Sequence, residues 1–110
     1  MANKCKSRYK FKVIKPEFRT HKTNGHPAYI YAKNDNEYKY IGITHSPNTH
    51  GLKNKKLRYR LSSSDTKDSY LRPFSTHDKI KKFKNKKIRG LKVHKADKKT
   101  VRKIKKNYKA

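Results

Sequence analysis

The stretch HPAYIYAKNDNEYKYIGITHS, residues 26–46, has the pattern of two strands joined by a tight turn. Residues 28–32 are aromatic, branched or small and have the length of a short strand. Residues 34–36, Asn-Asp-Asn, are of types that tolerate tight turns, and residues 38–44 continue as a second strand. We therefore predict an antiparallel β-hairpin over this segment.

The alternation of side chains along the second strand divides it into two faces. A period of two places Ile41 and Ile43 on one side, and it continues to His45. Thr44 lies on the opposite side with Gly42, where the missing side chain indicates a bulge or the close approach of another group. If the isoleucines face the core, we expect His45 to be buried and Thr44 to lie on the open face.

The chain as a whole is strongly basic and poor in apolar residues. Lys and Arg number 33 against 7 Asp and Glu, which gives a net charge of +26, and only 31% of residues are hydrophobic. So positive a chain repels itself unless it meets a polyanion, and nucleic acid is the expected partner. We expect no membrane association, because no apolar segment is long enough and the basic stretches lack a broad apolar face.

Length and composition predict one small domain with a basic extension. The 110 residues allow a single core, which we assign to residues 24–110. Residues 1–23 read as a basic N-terminal arm that contains at most one strand. A lone cysteine, Cys5, cannot form an internal disulfide, and the start lacks the apolar core of a signal peptide, so we expect a cytoplasmic protein.

Three segments after the hairpin also have readable patterns. Residues 57–61 alternate apolar or aromatic side chains with arginine, as in a strand with one charged face. Residues 69–74 read as a short strand that Pro73 ends or confines to a sheet edge. Apolar residues recur at helical spacing over 97–108, and Asp97 suits the N-cap of that helix. The predicted class is therefore mainly β with a C-terminal helix.

The sequence lacks the usual patterns of metal and cofactor sites. Six histidines and one cysteine show no CxxC, HxxxH or HExxH spacing. The seven carboxylates are scattered, whereas a magnesium-dependent nuclease needs several of them near one ion. The four glycines are too far apart for a P-loop. We therefore expect no metal and no cofactor.

RNA cleavage needs no metal, because RNA carries its own nucleophile in the 2′-hydroxyl. An enzyme must remove that proton, stabilise negative charge on the phosphorane and protonate the departing 5′-oxygen. If the two strands of the hairpin pair antiparallel, His26 at one outer end meets Thr44 and Ser46 at the other. An imidazole and two hydroxyls would then lie together in a basic protein.

The same hairpin resembles a known family of RNA-cleaving proteins. Residues 26–30 (HPAYI) and 40–46 (YIGITHS) are similar to the "RPALVI … VVPITS" pattern of MazF/PemK-like toxins, the endoribonucleases of toxin–antitoxin systems. Later segments resemble later parts of that pattern in the same order: 57–61, 69–72, 88–91 and 97–104. The resemblance spans roughly residues 24–108 and implies a small SH3-like barrel, single-stranded RNA as substrate, an acidic antitoxin as partner and a homodimer.

The resemblance also implies catalytic roles by position. The family's catalytic threonine falls on Thr44, and its catalytic arginine falls on His26, which is a departure. An imidazole can act as the base on the 2′-hydroxyl, but it is not a fixed cation. We therefore assign the stabilising cation to Arg72, with Arg58 as the alternative, and include Ser46 in the catalytic set.

Tyrosine and lysine residues are the candidates for RNA contact. We expect Tyr40 and Tyr59 to stack on unpaired bases, although several tyrosines must also pack in so small a core. Lysine runs would contact backbone phosphates without reading sequence. The predicted nucleic-acid-binding residues are Tyr40, Arg58, Tyr59, Arg60, Lys79, Lys81, Lys82, Lys86 and Lys87.

Two other functions stay open at the level of the sequence. Histidine in place of arginine at position 26 favours a related barrel that has lost its chemistry and clamps RNA or DNA, or a ribosomal-type protein. Small size and high charge also suit a phage or mobile-element protein that blocks a nucleic-acid-bound host complex.

Overall fold

The computed structural model describes residues 10–62 and 64–109, which form seven strands and one C-terminal helix. The strands are β1 (Lys12–Thr20), β2 (Pro27–Lys33), β3 (Glu37–Thr44), β4 (Asn48–Thr49), β5 (Leu52–Lys53), β6 (Lys55–Lys56) and β7 (Tyr70–Lys79). Two 3₁₀ turns, Ile80–Lys82 and Lys95–Asp97, precede helix α1 (Lys98–Lys106). The predicted class, mainly β with a C-terminal helix, is confirmed.

Five strands form one antiparallel sheet in the order β1-β2-β3-β7-β6, and β4 pairs separately with β5. Within the described ranges the two edge strands do not pair with each other, because β6 is only two residues long and contacts β7 alone. The sheet is therefore open, and the closed SH3-like barrel expected from the resemblance is wrong.

The hairpin predicted over residues 26–46 is confirmed as β2 and β3. Its register sets Ala28 opposite Gly42. The Asn34 side chain closes the turn, since its Oδ1 accepts the backbone N–H groups of Asn36 at 2.9 Å and Glu37 at 2.8 Å. The alternating pattern and the Asn-rich turn of this one segment thus determine two central strands of the sheet, β2 and β3.

The main core lies between this sheet and α1. Ile41 and Ile43 are 0% and 3% exposed, as the alternation predicts, and Val101 and Ile104 of α1 are each 3% exposed in the same cluster. Full burial of such side chains stabilises the fold by about 1.5–3 kcal/mol each. Tyr108, the last residue of the predicted stripe, lies beyond the end of α1.

Residues 57–61 are not a strand, which corrects the prediction made from their alternation. The Asp97 carboxylate accepts the backbone N–H of Arg58 at 2.8 Å and that of Tyr59 at 3.1 Å, so these donors are not available to a sheet. Asp97 is the N-cap residue of α1, as predicted, but its carboxylate makes no side-chain cap hydrogen bond to the helix because it is bonded to residues 58 and 59.

Pro73 does not end its strand, but β6 pairs only with Tyr70 and Leu71, so the outer side of β7 at Pro73 has no strand partner among the described residues, as predicted for an edge position. β7 continues for ten residues, and Pro73 lies in its interior. Ile41 pairs with Ser75 and Ile43 pairs with Leu71. Between these two pairs the chain advances by four residues in β7 but by only two in β3. The extra residues form an irregularity around Pro73, where the missing N–H breaks no ladder hydrogen bond.

Part of the predicted basic arm belongs to the sheet. β1 lies within residues 1–23 and pairs along β2, and its Phe18 is 7% exposed in the main core. The first nine residues, including Cys5, lie outside the described part of the chain. No helix among the described residues has both the length and the apolar character needed to cross a membrane.

Candidate functional site

An open cleft of about 270 Å³ lies where β2 begins and β3 ends. Because Ala28 pairs with Gly42, position 26 falls across the hairpin from position 44. His26, Thr44 and Arg72 all line this cleft. Three of the four predicted catalytic residues are therefore brought together, one from each of three neighbouring segments of the sheet.

His26 is held at the mouth of the cleft by the turn that precedes it. Its backbone N–H donates to Asn24 Oδ1 at 2.8 Å, and its carbonyl accepts the His21 N–H at 2.9 Å. Gly25 has a φ of +72°, which a residue with a side chain rarely adopts. The His26 imidazole is exposed, and no hydrogen bond joins it to a described residue, so a ligand can reach it.

Thr44 is half-buried, and its hydroxyl oxygen accepts the Ser46 backbone N–H at 3.2 Å. The hydroxyl hydrogen of Thr44 is then available to a ligand. Ser46 is exposed and is not among the residues that line the cleft. His45 is exposed as well, so its predicted burial is wrong, because β3 ends at Thr44 and the alternation ends with it.

Arg72 is fixed by contacts on several sides. Its Nη1 donates to Asn54 Oδ1 at 2.6 Å and to the Thr49 carbonyl at 3.4 Å, and its guanidinium carbon lies 5.1 Å from the ring centroid of Phe74. A Cβ at Gly42 would lie 3.0 Å from the Arg72 Cγ. Glycine at position 42 therefore leaves the space for this side chain, as the sequence pattern indicated.

Asn54 is the residue that orients this cation, and sequence reasoning missed it. It is 3% exposed, and its Nδ2 donates to the Ser46 carbonyl at 2.9 Å and to Thr49 Oγ1 at 2.8 Å. These two bonds leave Oδ1 directed at Arg72. Nothing in the local sequence distinguishes Asn54 from an ordinary loop asparagine.

A second imidazole, His50, lines the same cleft and was also missed. β4 and β5 form a two-residue hairpin whose turn residues, His50 and Gly51, have φ values of 49° and 77°. Positive φ at both positions is what a type I′ turn requires. The His-Gly pair is the one sequence signal that would have indicated this turn.

His21 lines the cleft beside Tyr40 but is not available for catalysis. Its Nδ1 accepts the Thr23 N–H at 3.2 Å, so its Nε2 donates to Asp78 Oδ2 at 2.8 Å. Burial alone would raise the Asp78 pKa, but hydrogen bonds from His21 and the Lys79 N–H, together with the charge of Lys82, lower it overall. This pair supports the wall of the cleft.

Tyr40 is half-buried in the cleft wall, where its ring centroid lies 5.1 Å from that of Phe83 in an edge-to-face contact. Burial, and then the charge of Asp78, raises the pKa of the Tyr40 phenol. The phenol is therefore protonated at neutral pH and can donate a hydrogen bond.

The other predicted RNA-contacting residues lie away from the cleft. Arg58, Tyr59 and Arg60 are exposed in the segment after β6, and Tyr59 stacks on His94. The five lysines lie at the last residue of β7 and after it, are exposed, and are not among the residues lining the cleft: Lys79, Lys81, Lys82, Lys86 and Lys87.

Among the described residues, no group of three or more His, Cys, Asp or Glu lies close enough to hold a metal ion.

No family model, curated protein or solved structure matches this chain. The functional assignment therefore depends on the geometry and charge of the cleft itself.

Proposed function

We propose that this protein is a metal-independent endoribonuclease that cleaves single-stranded RNA by attack of a 2′-hydroxyl on the adjacent phosphate. One observation carries the proposal: besides His21, which is paired with Asp78, a single cleft contains two further imidazoles, a hydroxyl and an anchored guanidinium. These groups belong to His26, His50, Thr44 and Arg72. They are the groups that this reaction needs when no metal takes part.

Each group has one step in the reaction. His26 takes the proton of the 2′-hydroxyl as the 2′-oxygen bonds to phosphorus. The bond from phosphorus to the 5′-oxygen then breaks, and His50 gives that oxygen a proton. The products are a 2′,3′-cyclic phosphate and a free 5′-hydroxyl.

Arg72 and Thr44 stabilise the charge that develops between these proton transfers. The Arg72 Nε and Nη2 donate to no described residue, so they are free to contact the non-bridging oxygens of the phosphate. The Thr44 hydroxyl is a further donor to the same oxygens. Fixed donors of this kind lower the barrier because they need no reorganisation during the reaction.

The decisive experiment incubates a labelled single-stranded RNA with the full chain in EDTA. We expect products that end in 2′,3′-cyclic phosphate, and no cleavage of an oligonucleotide with 2′-deoxyribose throughout. His26→Ala and His50→Ala should each lower the rate by about 10²–10⁴-fold, and Arg72→Gln by about 10²–10³-fold. His45→Ala is the matched control, because His45 is an exposed neighbour that does not line the cleft.

Because one imidazole acts unprotonated and the other protonated, the rate should show a bell-shaped dependence on pH. Wild-type protein that binds RNA but leaves it intact would contradict the proposal. That result would identify a non-catalytic RNA- or DNA-binding protein.

The high positive charge also makes an acidic protein the expected inhibitor of the cleft.

A further inference from the structure

A second basic groove lies at the start of α1, apart from the residues that line the cleft. We call it the α1 groove; its volume is about 690 Å³. Six exposed cations line it: Arg60, Lys92, Lys95, Lys98, Lys99 and Arg102. The rest of the lining is Leu61 and His94, so no described carboxylate contributes to it.

These cations lie near the N-terminal end of α1, where further positive charge is unfavourable. The first turn of α1 begins with Lys98 and Lys99 and contains no acidic residue, although the N-terminal end of a helix already carries partial positive charge. Only Arg60 of the six forms an ion pair within the described ranges, with Asp68 Oδ1 at 3.6 Å. The groove therefore attracts anions.

An exposed aromatic pair lies at the same place. Tyr59 directly precedes Arg60 in the chain, and its ring stacks on that of groove-lining His94 with centroids 3.9 Å apart and planes 27° apart. Tyr59 is 51% exposed, so the stack covers one face of its ring and leaves the ring accessible to solvent. Aromatic faces beside cations are the usual means of holding unpaired bases.

We propose that the α1 groove binds single-stranded nucleic acid, with backbone phosphates on the six cations and one base stacked on Tyr59. The aromatic pair favours a nucleic acid over an acidic protein, because carboxylates have no flat ring to stack. The groove would hold a strand outside the catalytic cleft. It does not depend on the cleavage chemistry proposed for that cleft.

The test measures fluorescence anisotropy of a labelled oligothymidylate, because DNA lacks the 2′-hydroxyl and binding can be read without cleavage. Tyr59→Leu should weaken binding about tenfold, and Tyr59→Phe should retain it because the ring is kept. An abasic oligonucleotide of the same length should bind both proteins equally. Unchanged affinity in Tyr59→Leu would overturn the proposal.

A triple variant tests the contribution of the cations. Lys95→Gln, Lys98→Gln and Arg102→Gln together should lower the slope of log affinity against log salt by about 2, since each single-strand phosphate contact contributes about 0.7. The matched control replaces three exposed lysines of β1 and β2 with glutamine: Lys12, Lys15 and Lys33. An equal loss of slope in the control, or displacement of the oligonucleotide by polyglutamate at equal charge, would overturn the proposal.

Discussion

Gly42 lies next to the aliphatic part of the Arg72 side chain. A substitution at Gly42 can therefore test whether the position of the Arg72 guanidinium matters, while Arg72 itself is kept. Gly42→Ala would bring a methyl group to 3.0 Å from the Arg72 Cγ, so the guanidinium must shift. We expect the cleavage rate to fall about ten- to hundredfold, because small displacements of a catalytic group are costly. Thermal unfolding should change little, since alanine itself suits a strand better than glycine.

Steady-state kinetics and a melting curve on the same preparation separate these two effects. An unchanged cleavage rate in Gly42→Ala would show that the exact position of Arg72 does not matter. A large fall in melting temperature would instead show that glycine at this position supports the fold.

Asp78 predicts part of the pH dependence of stability. Its folded-state pKa is below the usual value for aspartate, through His21, the Lys79 N–H and Lys82 acting against burial. A depressed folded pKa contributes stability that is present above the unfolded value, about 3.9, and that is lost as the pH falls through the folded value.

Asp78→Asn should therefore lose less stability than the wild type as the pH falls below about 5 and through the folded-state pKa of Asp78. Urea unfolding at several pH values measures this difference. Parallel stability curves for the two proteins in that range would contradict it. Asp65→Asn is the matched control, because no ion pair between Asp65 and a described residue is present.

At the scale of elements, Asp97 joins the segment after β6 to the start of α1. It is 1% exposed and accepts two backbone N–H groups from residues 58 and 59. Asp97→Ala leaves both donors without this acceptor, and hydrogen bonds to a charged group contribute about 1.5–3 kcal/mol each. We expect the free energy of unfolding to fall by about 3 kcal/mol.

Asp97→Asn tells apart the loss of hydrogen bonds from the loss of packing. The amide keeps the shape and one acceptor oxygen, so its destabilisation should lie between those of wild type and Asp97→Ala. Equal stability of all three proteins in urea unfolding would show that residues 57–61 are held by their buried leucines alone.

The elements that could be predicted are those whose signals are local. The hairpin follows from alternation and an Asn-rich turn, and the α1 stripe follows from helical spacing. Residues 57–61 have an equally strand-like pattern, but their backbone donors are taken by Asp97, almost forty positions away. The path of β7 through Pro73 likewise depends on its register against β3, which the sequence of β7 does not contain.

The same division applies to the candidate site. His26 and Thr44 could be predicted to meet because one hairpin carries both. His50 reaches the cleft on the turn of the separate β4–β5 ribbon, and Asn54, the residue after β5, reaches Arg72; the contact of this ribbon with β7 is a tertiary event. Arg72 was predicted from its charge, but the buried amide that orients it was not.

At the scale of the whole molecule, the net charge of +26 opposes folding through self-repulsion. Screening should relieve this repulsion, since the Debye length falls from about 30 Å at 0.01 M salt to about 8 Å at 0.15 M. We expect the melting temperature to rise by several degrees over that range, and to rise further in phosphate than in chloride at equal ionic strength.

Differential scanning fluorimetry across a salt series measures this effect. A melting temperature that falls as salt is added would mean that the ion pairs formed by the acidic residues outweigh the repulsion among the cations. Equal effects of phosphate and chloride would indicate general screening, without anion binding at particular basic sites.

Asn54 also gives the cleft a mechanical property. The Asn54 side chain hydrogen-bonds to three groups. Its amide nitrogen donates to the Ser46 carbonyl and to the Thr49 hydroxyl of β4, and its amide oxygen accepts from the Arg72 guanidinium. If the cleft binds RNA as proposed, a displacement of the Arg72 guanidinium would be passed through Asn54 to the ribbon that carries His50, and a displacement of the ribbon would in turn reach the guanidinium, because such linkage is reciprocal.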